Sequence, residues 1–325
     1  MKLLRALPVL LLWLSHAGNG AVAAADPPMS AALKPARLHV IASDLLFGTV
    51  NPADALASMR IWAEQIGRVR GFQLDIKVEI GRSMGQVRQS LKEHAVDLLV
   101  LDTTEYLSLA DARLVEVVAA GTTQGQLGAF PYLLLTNDGT EAGQLGGLRG
   151  KRIVVASRTK SNMGLVWLET LLAESRLGRA ASFFGSVEIG YRASACVLPL
   201  FFGKIDACVV DSANWESIEE LNPQLGRLRV VARSEALLEG MIAMPVQPHP
   251  YQSELIDSIL NLHKTPAGEQ LCMVFKTGIL IRVGREPFES VRALCGRYRR
   301  MVNPAMDGSG STAGRLDEMA GKERR

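Results

Sequence analysis

Apolar and polar positions along residues 38–102 follow the periods of strands and helices in turn. LHVIAS (38–43) and VDLLVLD (96–102) are continuous apolar runs typical of buried strands, and QLDIKVEI (73–80) alternates like a half-buried strand. MGQVRQSLKEHA (84–95) has the pattern of a helix. Another helix precedes it, with these apolar residues on one face: Leu56, Met59, Trp62, Ala63 and Ile66. Strands that alternate with helices predict an α/β fold with a parallel sheet.

A second series of the same kind follows. KRIVVAS (151–157), a helix from Met163, SFFGSVEI (182–189), a helix from about Arg192 and IDACVVD (205–211) repeat the alternation. Two more runs are strand-like, LRVVARS (228–234) and GMIAMPV (240–246), and the second is expected to return to the first sheet.

This order predicts two lobes joined by two extended crossing strands. Lobe 1 comprises residues 36–130 and, after the return, residues 241–302, while lobe 2 comprises residues 131–240. The glycine-rich residues 139–150 are interpreted as the first crossing. Because open α/β sheets bind ligands beyond the carboxyl ends of their strands, the lobes are expected to enclose a ligand cleft.

The N-terminus has the layout of a secretory signal. Lys2 and Arg5 precede the apolar stretch LPVLLLWL, and the small residues AVAAA follow. Residues 1–25 are therefore predicted to be a signal peptide cleaved near Ala23–Ala25, and the protein is expected in the periplasm. The apolar stretch is shorter than the roughly 20 residues that span a bilayer, although an uncleaved anchor is the alternative. Residues 303–325 are predicted to be a disordered tail.

Charge and cysteine content narrow the function classes. The formal net charge is only +3, and loss of Lys2 and Arg5 brings it nearer to neutral, so nothing favours nucleic acid as a partner. The four cysteines match no zinc or redox spacing and are predicted to be buried as small apolar residues. The alternatives, which export permits, are a Cys272–Cys295 or a Cys196–Cys208 disulfide.

Three segments carry a family resemblance. LRGKRIVVASRTKSNMG, GYRASACVLPLFFGKIDACVVDS and VDLLVLDTTEYL resemble segments of the periplasmic solute-binding proteins of ABC transporters, in the branch that binds phosphonates and related oxyanions. The likeness covers roughly residues 36–300 in order. It implies a type II periplasmic-binding-protein fold. The chain differs from the family's Ser-Thr-Ser-Gly turn, where it has Lys160, Ser161, Asn162 and Met163.

The turn before the helix at Met163 is the first candidate site. Ser161 and Asn162 offer hydrogen-bond donors, Lys160 offers a full charge, and a helix N-terminus presents unpaired N–H groups to an anion. The alternative is that these residues only cap the helix. The resemblance favours the anion site, because it implies that the turn faces the cleft.

Other candidates lie at strand ends and loops. Thr103 and Thr104 follow an apolar strand and offer hydroxyl groups, or else cap the next helix. Asp211 ends another strand and is expected to accept bonds from a ligand amine or hydroxyl, or else to hold the hinge or cap a helix. Arg192, with Tyr191, begins a helix and is suited to grip an oxyanion with two N–H bonds, unless it is a surface arginine. Two residues of the first loop complete the set: Asp44 and Phe47, whose ring would wall an apolar part of the ligand.

These features predict an exported binding protein, a monomer that captures a small oxyanion-bearing solute and delivers it to an ABC permease. A phosphonate or phosphate ester is expected ahead of a sulfonate. The alternative is a periplasmic sensing module that signals to a membrane kinase or receptor. The sequence has no nucleophile elbow, phosphate loop or metal-ligand spacing, so no enzyme activity, cofactor or metal is predicted.

Overall fold

The computed structural model describes residues 33–137 and 144–303. The predicted signal peptide and residues 304–325 of the predicted tail lie outside the described residues. Two sheets are present, and both combine strands with covering helices, as the alternation of apolar patterns predicts. No helix of the described residues is long and apolar enough to span a membrane.

The first sheet has the strand order β12-β4-β11-β3-β1-β2, with the short β5 paired to β4. Strands β1, β2 and β3 are parallel, whereas β11 pairs antiparallel with both β3 and β4. Its elements are β1 (Lys34–Ser43), α1 (Pro52–Val69), β2 (Phe72–Gly81), α2 (Met84–Lys92), β3 (Leu98–Asp102), α3 (Thr103–Asp111), β4 (Val115–Thr123), β5 (Gln126–Leu127), β11 (Gly240–Pro245), α8 (Gln252–Leu260), α9 (Pro266–Val274), β12 (Leu280–Arg282) and α10 (Glu289–Val302).

The second sheet has the order β10-β6-β9-β7-β8, in which β7 is parallel to β8 and β9 and β6 is antiparallel to its neighbours. Its elements are β6 (Ala129–Thr136), β7 (Arg152–Ala156), α4 (Met163–Glu174), α5 (Ala180–Phe183), β8 (Ser186–Gly190), α6 (Ser194–Phe201), β9 (Ala207–Asp211), α7 (Ser212–Leu221) and β10 (Arg229–Leu238).

Local sequence explains why the first helix begins and packs where it does. Asn51 is the N-cap of α1, and its side chain accepts a hydrogen bond of 2.9 Å from the N–H of Ala53. Pro52 occupies the first helical position, where its missing N–H costs nothing. The apolar face of α1 buries Met59 and Trp62 against the first sheet, as the spacing predicts.

The chain passes between the sheets twice, from β5 to β6 and from β10 to β11. The second-sheet strands next to these crossings, β6 and β10, run side by side, because Ala129 pairs with Leu238 and Phe130 with Leu237. These are the two predicted hinge strands. The first crossing therefore precedes the glycine-rich residues 139–150, which follow a strand already in the second sheet, so that part of the sequence interpretation is wrong.

The cysteines correct a second expectation. Cys196 of α6 and Cys208 of β9 form a disulfide, with 5.7 Å between their Cα atoms. The prediction of free, buried cysteines fails for this pair, and the alternative Cys272–Cys295 bridge does not form. Both bridged residues lie in the second lobe's apolar core, where α6 packs on β9. Apolar burial and disulfide bonding therefore coincide here.

Candidate functional site

Two aspartates end strands of the two sheets and cap the helices that follow. Asp102, at the end of β3, accepts hydrogen bonds at Oδ1 from the N–H (2.8 Å) and hydroxyl (2.5 Å) of Thr104. Asp211, at the end of β9, accepts a bond of 3.0 Å from the N–H of Asn214. The capping alternative for Asp211 is thus confirmed, although its side chain also lines the cavity described below.

Glu239 lies on the second hinge crossing and connects both lobes. Its carboxylate accepts hydrogen bonds from the hydroxyls of Tyr132 and, at 2.9 Å, Thr159 of the second lobe. Its backbone carbonyl accepts a bond of 3.1 Å from the N–H of Thr103 in the first lobe. Removal from bulk water raises the pKa of Glu239, while the bond from Tyr132 and the charge of Arg158 act in the opposite direction.

The turn between β7 and α4 is seated against the first lobe. The ammonium group of Lys160 lies 2.9 Å from Oδ1 of Asp44, and the N–H of Lys160 donates to the carbonyl of Leu45 at 2.7 Å. Within the turn, the hydroxyls of Thr159 and Ser161 are 2.7 Å apart. These contacts bring the two lobes together at the carboxyl ends of β1 and β7.

The side chains of this turn do not cap α4. Asn162 holds the N-cap position in the left-handed conformation (φ 51°, ψ 47°), and no side chain bonds to the first turn of the helix. Its Oδ1 atom is buried and has no hydrogen-bond partner among the described residues. The cap interpretation of Ser161 and Asn162 is therefore wrong, and the first N–H groups of α4 have no side-chain cap among the described residues.

A cavity of about 220 Å³ is lined by three of the residues described above, Thr159, Asp211 and Glu239. Its charged lining consists of Arg158, Lys276, Asp211 and Glu239, and the hydroxyl of Thr159 lies beside them. The guanidinium carbon of Arg158 is 5.7 Å from the centre of the Phe130 ring, which also lines the cavity. The rest of the lining is mostly apolar and belongs to the first lobe.

The structure brings some of the sequence candidates together and separates others. Lys160 contacts Asp44 and Ser161 contacts Thr159 near the cavity, whereas the hydroxyls of Thr103 and Thr104 are engaged by Leu238 and Asp102.

Three candidates lie elsewhere. Phe47 is buried in the first lobe's core, with its ring centre 6.3 Å from that of Phe275. Tyr191 and Arg192 are exposed beyond the end of β8, an edge strand, and are not part of the cavity lining.

Three functional candidates escape the sequence analysis: Arg158, Glu239 and Lys276. Arg158 carries the same signal as Asp102 and Asp211, since it closely follows a buried strand. Glu239 directly precedes the second of two strand-like runs, and with Glu235 it is one of two acidic residues between them, so the sequence does not single it out. Lys276 follows an amphipathic helix and gives no comparable signal.

Comparisons with known proteins agree with this geometry. The family described as "ABC transporter, phosphonate, periplasmic substrate-binding protein" matches residues 47–282. No curated protein matches the sequence.

Solved structures with the same fold share little sequence with this chain. XAC2383 of Xanthomonas citri, bound to chloride, has a TM-score of 0.57 at 15% identity, covering 82% of this chain and 99% of its own. A binding protein component of an ABC phosphonate transporter from Pseudomonas aeruginosa has a TM-score of 0.55 at 11% identity, covering 86% and 91%. PhnD1 of Prochlorococcus marinus, in complex with methylphosphonate, has a TM-score of 0.52 at 14% identity, covering 82% and 98%.

Proposed function

The chain belongs to the periplasmic substrate-binding proteins of phosphonate ABC transporters, and from this premise we propose which solute it holds and where. The solute is a small phosphonate or phosphate ester, bound in the cavity between the lobes and delivered to an ABC permease. The family consists of solute-binding proteins rather than enzymes. The family match favours transport over the sensing alternative, and we propose that the protein acts as a monomer after removal of its signal peptide near Ala23–Ala25.

The observation that carries the proposal is the set of donors on the second lobe's side of the cavity. Arg158 lines the cavity and forms no ion pair with the described residues. A guanidinium group matches a phosphonate with two parallel N–H bonds. The hydroxyl of Thr159 also lines the cavity and lies 2.7 Å from the hydroxyl of Ser161, and the N-terminus of α4, without a side-chain cap, follows in the same turn. We propose that these groups bind the oxyanion.

The carboxyl groups at the cavity fit the same solute if they face its other end. Asp211 and Glu239 line the cavity, and an ionised carboxylate repels an oxyanion but accepts bonds from an amine or hydroxyl group. Burial raises the pKa of Glu239, which favours its neutral form. The disulfide in the second lobe supports export to an oxidising compartment.

Calorimetric titration of the purified protein with methylphosphonate, a phosphate ester and methylsulfonate tests the proposal. We expect saturable binding of at least one phosphorus oxyanion. Arg158→Ala should weaken that binding by tenfold or more, because it removes charged hydrogen bonds worth about 1.5–3 kcal/mol.

Arg192→Ala is the matched comparison, since Arg192 is the arginine that the sequence selects and the structure leaves exposed. A loss of affinity in Arg192→Ala with none in Arg158→Ala would overturn the site assignment. Absence of binding by every oxyanion would overturn the proposed function itself.

A further inference from the structure

The cavity does not end at the cleft but continues into the core of the first lobe. Beyond the polar groups it runs between the first sheet and helices α1, α8 and α9. Trp62 of α1, Ile259 of α8 and Leu271 of α9 form its inner wall on the helix side. We call this inner part the chamber.

Incomplete burial of side chains on the sheet side of the chamber indicates an unfilled space. Val100 of β3 and Ile242 of β11 are direct cross-strand partners on the two central strands of the first sheet, and both line the cavity. Their neighbours Leu99 and Ala243 are fully buried on the other face, yet Val100 and Ile242 are only partly buried. Protein interiors are close-packed, so partly exposed residues at the centre of a covered sheet indicate that side chains do not fill this region.

A residue of the chamber wall has a buried polar atom without a partner. Trp62 is 4% exposed, and its indole Nε1 is buried without a hydrogen-bond partner among the described residues. A buried donor normally finds an acceptor, because leaving it unpaired costs free energy. This unpaired donor belongs to a residue of the chamber wall, where the packing is incomplete.

We propose that the solute is amphiphilic: an oxyanion head at the cleft and a hydrocarbon substituent that fills the chamber. The inference rests on the proposed function for the head group and adds the substituent. Arg158 and Lys276 line the polar part of the cavity, while Trp62, Val100, Ile242 and Leu271 line the apolar part. An apolar cavity of about 150 Å³ holds a benzene ring, so the whole cavity, at about 220 Å³, has room for a substituent of that size.

The test is a chain-length series measured by calorimetric titration. Methyl-, butyl-, hexyl- and benzylphosphonate are compared with the matching sulfonates. We expect affinity to rise about fourfold for each methylene that enters the chamber and to level off once it is full. Benzylphosphonate should bind more tightly than methylphosphonate.

The outcomes separate the two proposals. Equal affinity for methyl- and hexylphosphonate overturns the chamber proposal and leaves the proposed function standing. A rise with chain length among sulfonates, without binding of any phosphonate, supports the chamber and overturns the phosphonate assignment. If no member of either series binds, both proposals fail.

A side chain that fills the chamber should reduce the preference for long substituents. Val100→Phe places a larger side chain in the chamber, and we expect the ratio of hexyl- to methylphosphonate affinity to fall by tenfold or more. Val230→Phe is the matched control, because Val230 is 51% exposed on β10 and is outside the cavity lining. An unchanged ratio in Val100→Phe contradicts the proposal.

A second measurement avoids any change to the sheet. The thiol of Cys272 is free and lines the cavity. In a Cys295→Ser variant, which leaves Cys272 as the one free thiol of the described residues, saturating hexylphosphonate should slow its reaction with a small thiol reagent several-fold more than saturating methylphosphonate. Equal protection by the two ligands would count against the chamber.

Discussion

At the scale of single residues, the cavity combines positive donors with carboxyl groups that are held away from water. Asp102 ends β3 outside the cavity lining, and burial raises its pKa, although hydrogen bonds from Thr104 oppose the change. The same cause raises the pKa of Glu239. A buried carboxyl group favours its neutral form because charge is poorly solvated there. The polarity of the site therefore depends on pH.

Glu239→Gln should flatten the dependence of stability on pH. The native pKa of Glu239 is raised above the ordinary 4.5, so the native state holds a proton that the unfolded state releases. Stability from this group is fully present below pH 4.5 and is lost as pH rises through the native pKa. We expect the urea-unfolding free energy of the wild type to fall over this window and that of Glu239→Gln to fall less.

Glu235→Gln is the control, since Glu235 is exposed on β10, the strand that Glu239 directly follows. It should show the wild-type dependence on pH. The side chain of glutamine has one accepting oxygen, so Glu239→Gln also loses the hydrogen bond that Tyr132 or Thr159 donates. The readout is therefore the change of unfolding free energy with pH and not the variant's absolute stability. Parallel pH profiles of the wild type and Glu239→Gln would contradict the assignment of a raised pKa.

Local pattern finds site residues where they directly follow a strand or precede a helix. Asp211, Lys160 and Ser161 were predicted in this way and lie at or beside the cavity. Lys276 was not, because its position at the cavity depends on how α9 packs on the first sheet. Arg192 shows the opposite error: it lies two residues before α6, near the predicted helix start, but the strand before it is an edge strand, and no local signal gives strand order.

At the scale of elements, the sequence predicts most of the strands and the helices α1, α2, α4 and α6, because apolar periodicity is a local property. The return of β11 to the first sheet was also predicted and is confirmed by its pairing with β3 and β4. The point of the first crossing was misplaced, since glycine-rich composition marks a loop but does not tell which sheets the loop joins. The pairing of Cys196 with Cys208 depends on α6 lying across β9, which is a tertiary contact.

Removal of the Cys196–Cys208 disulfide should destabilise the second lobe. The bond joins residues 12 positions apart, and closing a loop of about this size restricts the unfolded chain by about 3 kcal/mol. The double variant Cys196→Ala/Cys208→Ala should therefore unfold at lower urea concentration by about that free energy. Cys272→Ala/Cys295→Ala is the comparison, because it keeps the Cys196–Cys208 bond and removes only the free cysteines. Its unfolding should still shift to lower urea concentration when reductant is added. Reductant sensitivity that survives in Cys196→Ala/Cys208→Ala would contradict the pairing.

At the scale of the whole molecule, three kinds of contact hold the lobes together. The hinge strands β6 and β10 join the sheets, and the turn at Lys160 meets Asp44 across the cleft. Helix α10 is the third. Arg292 of α10 pairs with Asp111 of α3 at 2.8 Å, and Arg297 pairs with Glu174 of α4 at 3.1 Å. Opening the cleft must break the contacts of the turn at Lys160. The two ion pairs of α10 must tolerate the motion if α10 is to keep its contacts with α3 and α4.

The closest approach of the lobes is at Gly48, and it provides a test of closure. A Cβ atom at this position would lie 2.6 Å from the carbonyl oxygen of Arg158 and 3.0 Å from the Cα of Thr159. Gly48→Ala should therefore keep the turn from seating on the first lobe. Because Arg158 and Thr159 belong to the proposed anion site, we expect phosphonate affinity to fall roughly tenfold, equivalent to about 1.4 kcal/mol. Titration calorimetry measures this loss.

Gly48→Ala should affect closure of the cleft more than folding. The clash arises between lobes rather than within one, so the unfolding free energy of unliganded Gly48→Ala should change far less than its affinity for ligand. Gly146→Ala is the control, because an added Cβ there meets no atom within 4 Å. Small-angle X-ray scattering should show that the Gly48→Ala protein, and not the Gly146→Ala protein, stays extended when ligand is added. Wild-type compaction of Gly48→Ala would mean that the seated turn is not the closed state that holds the solute.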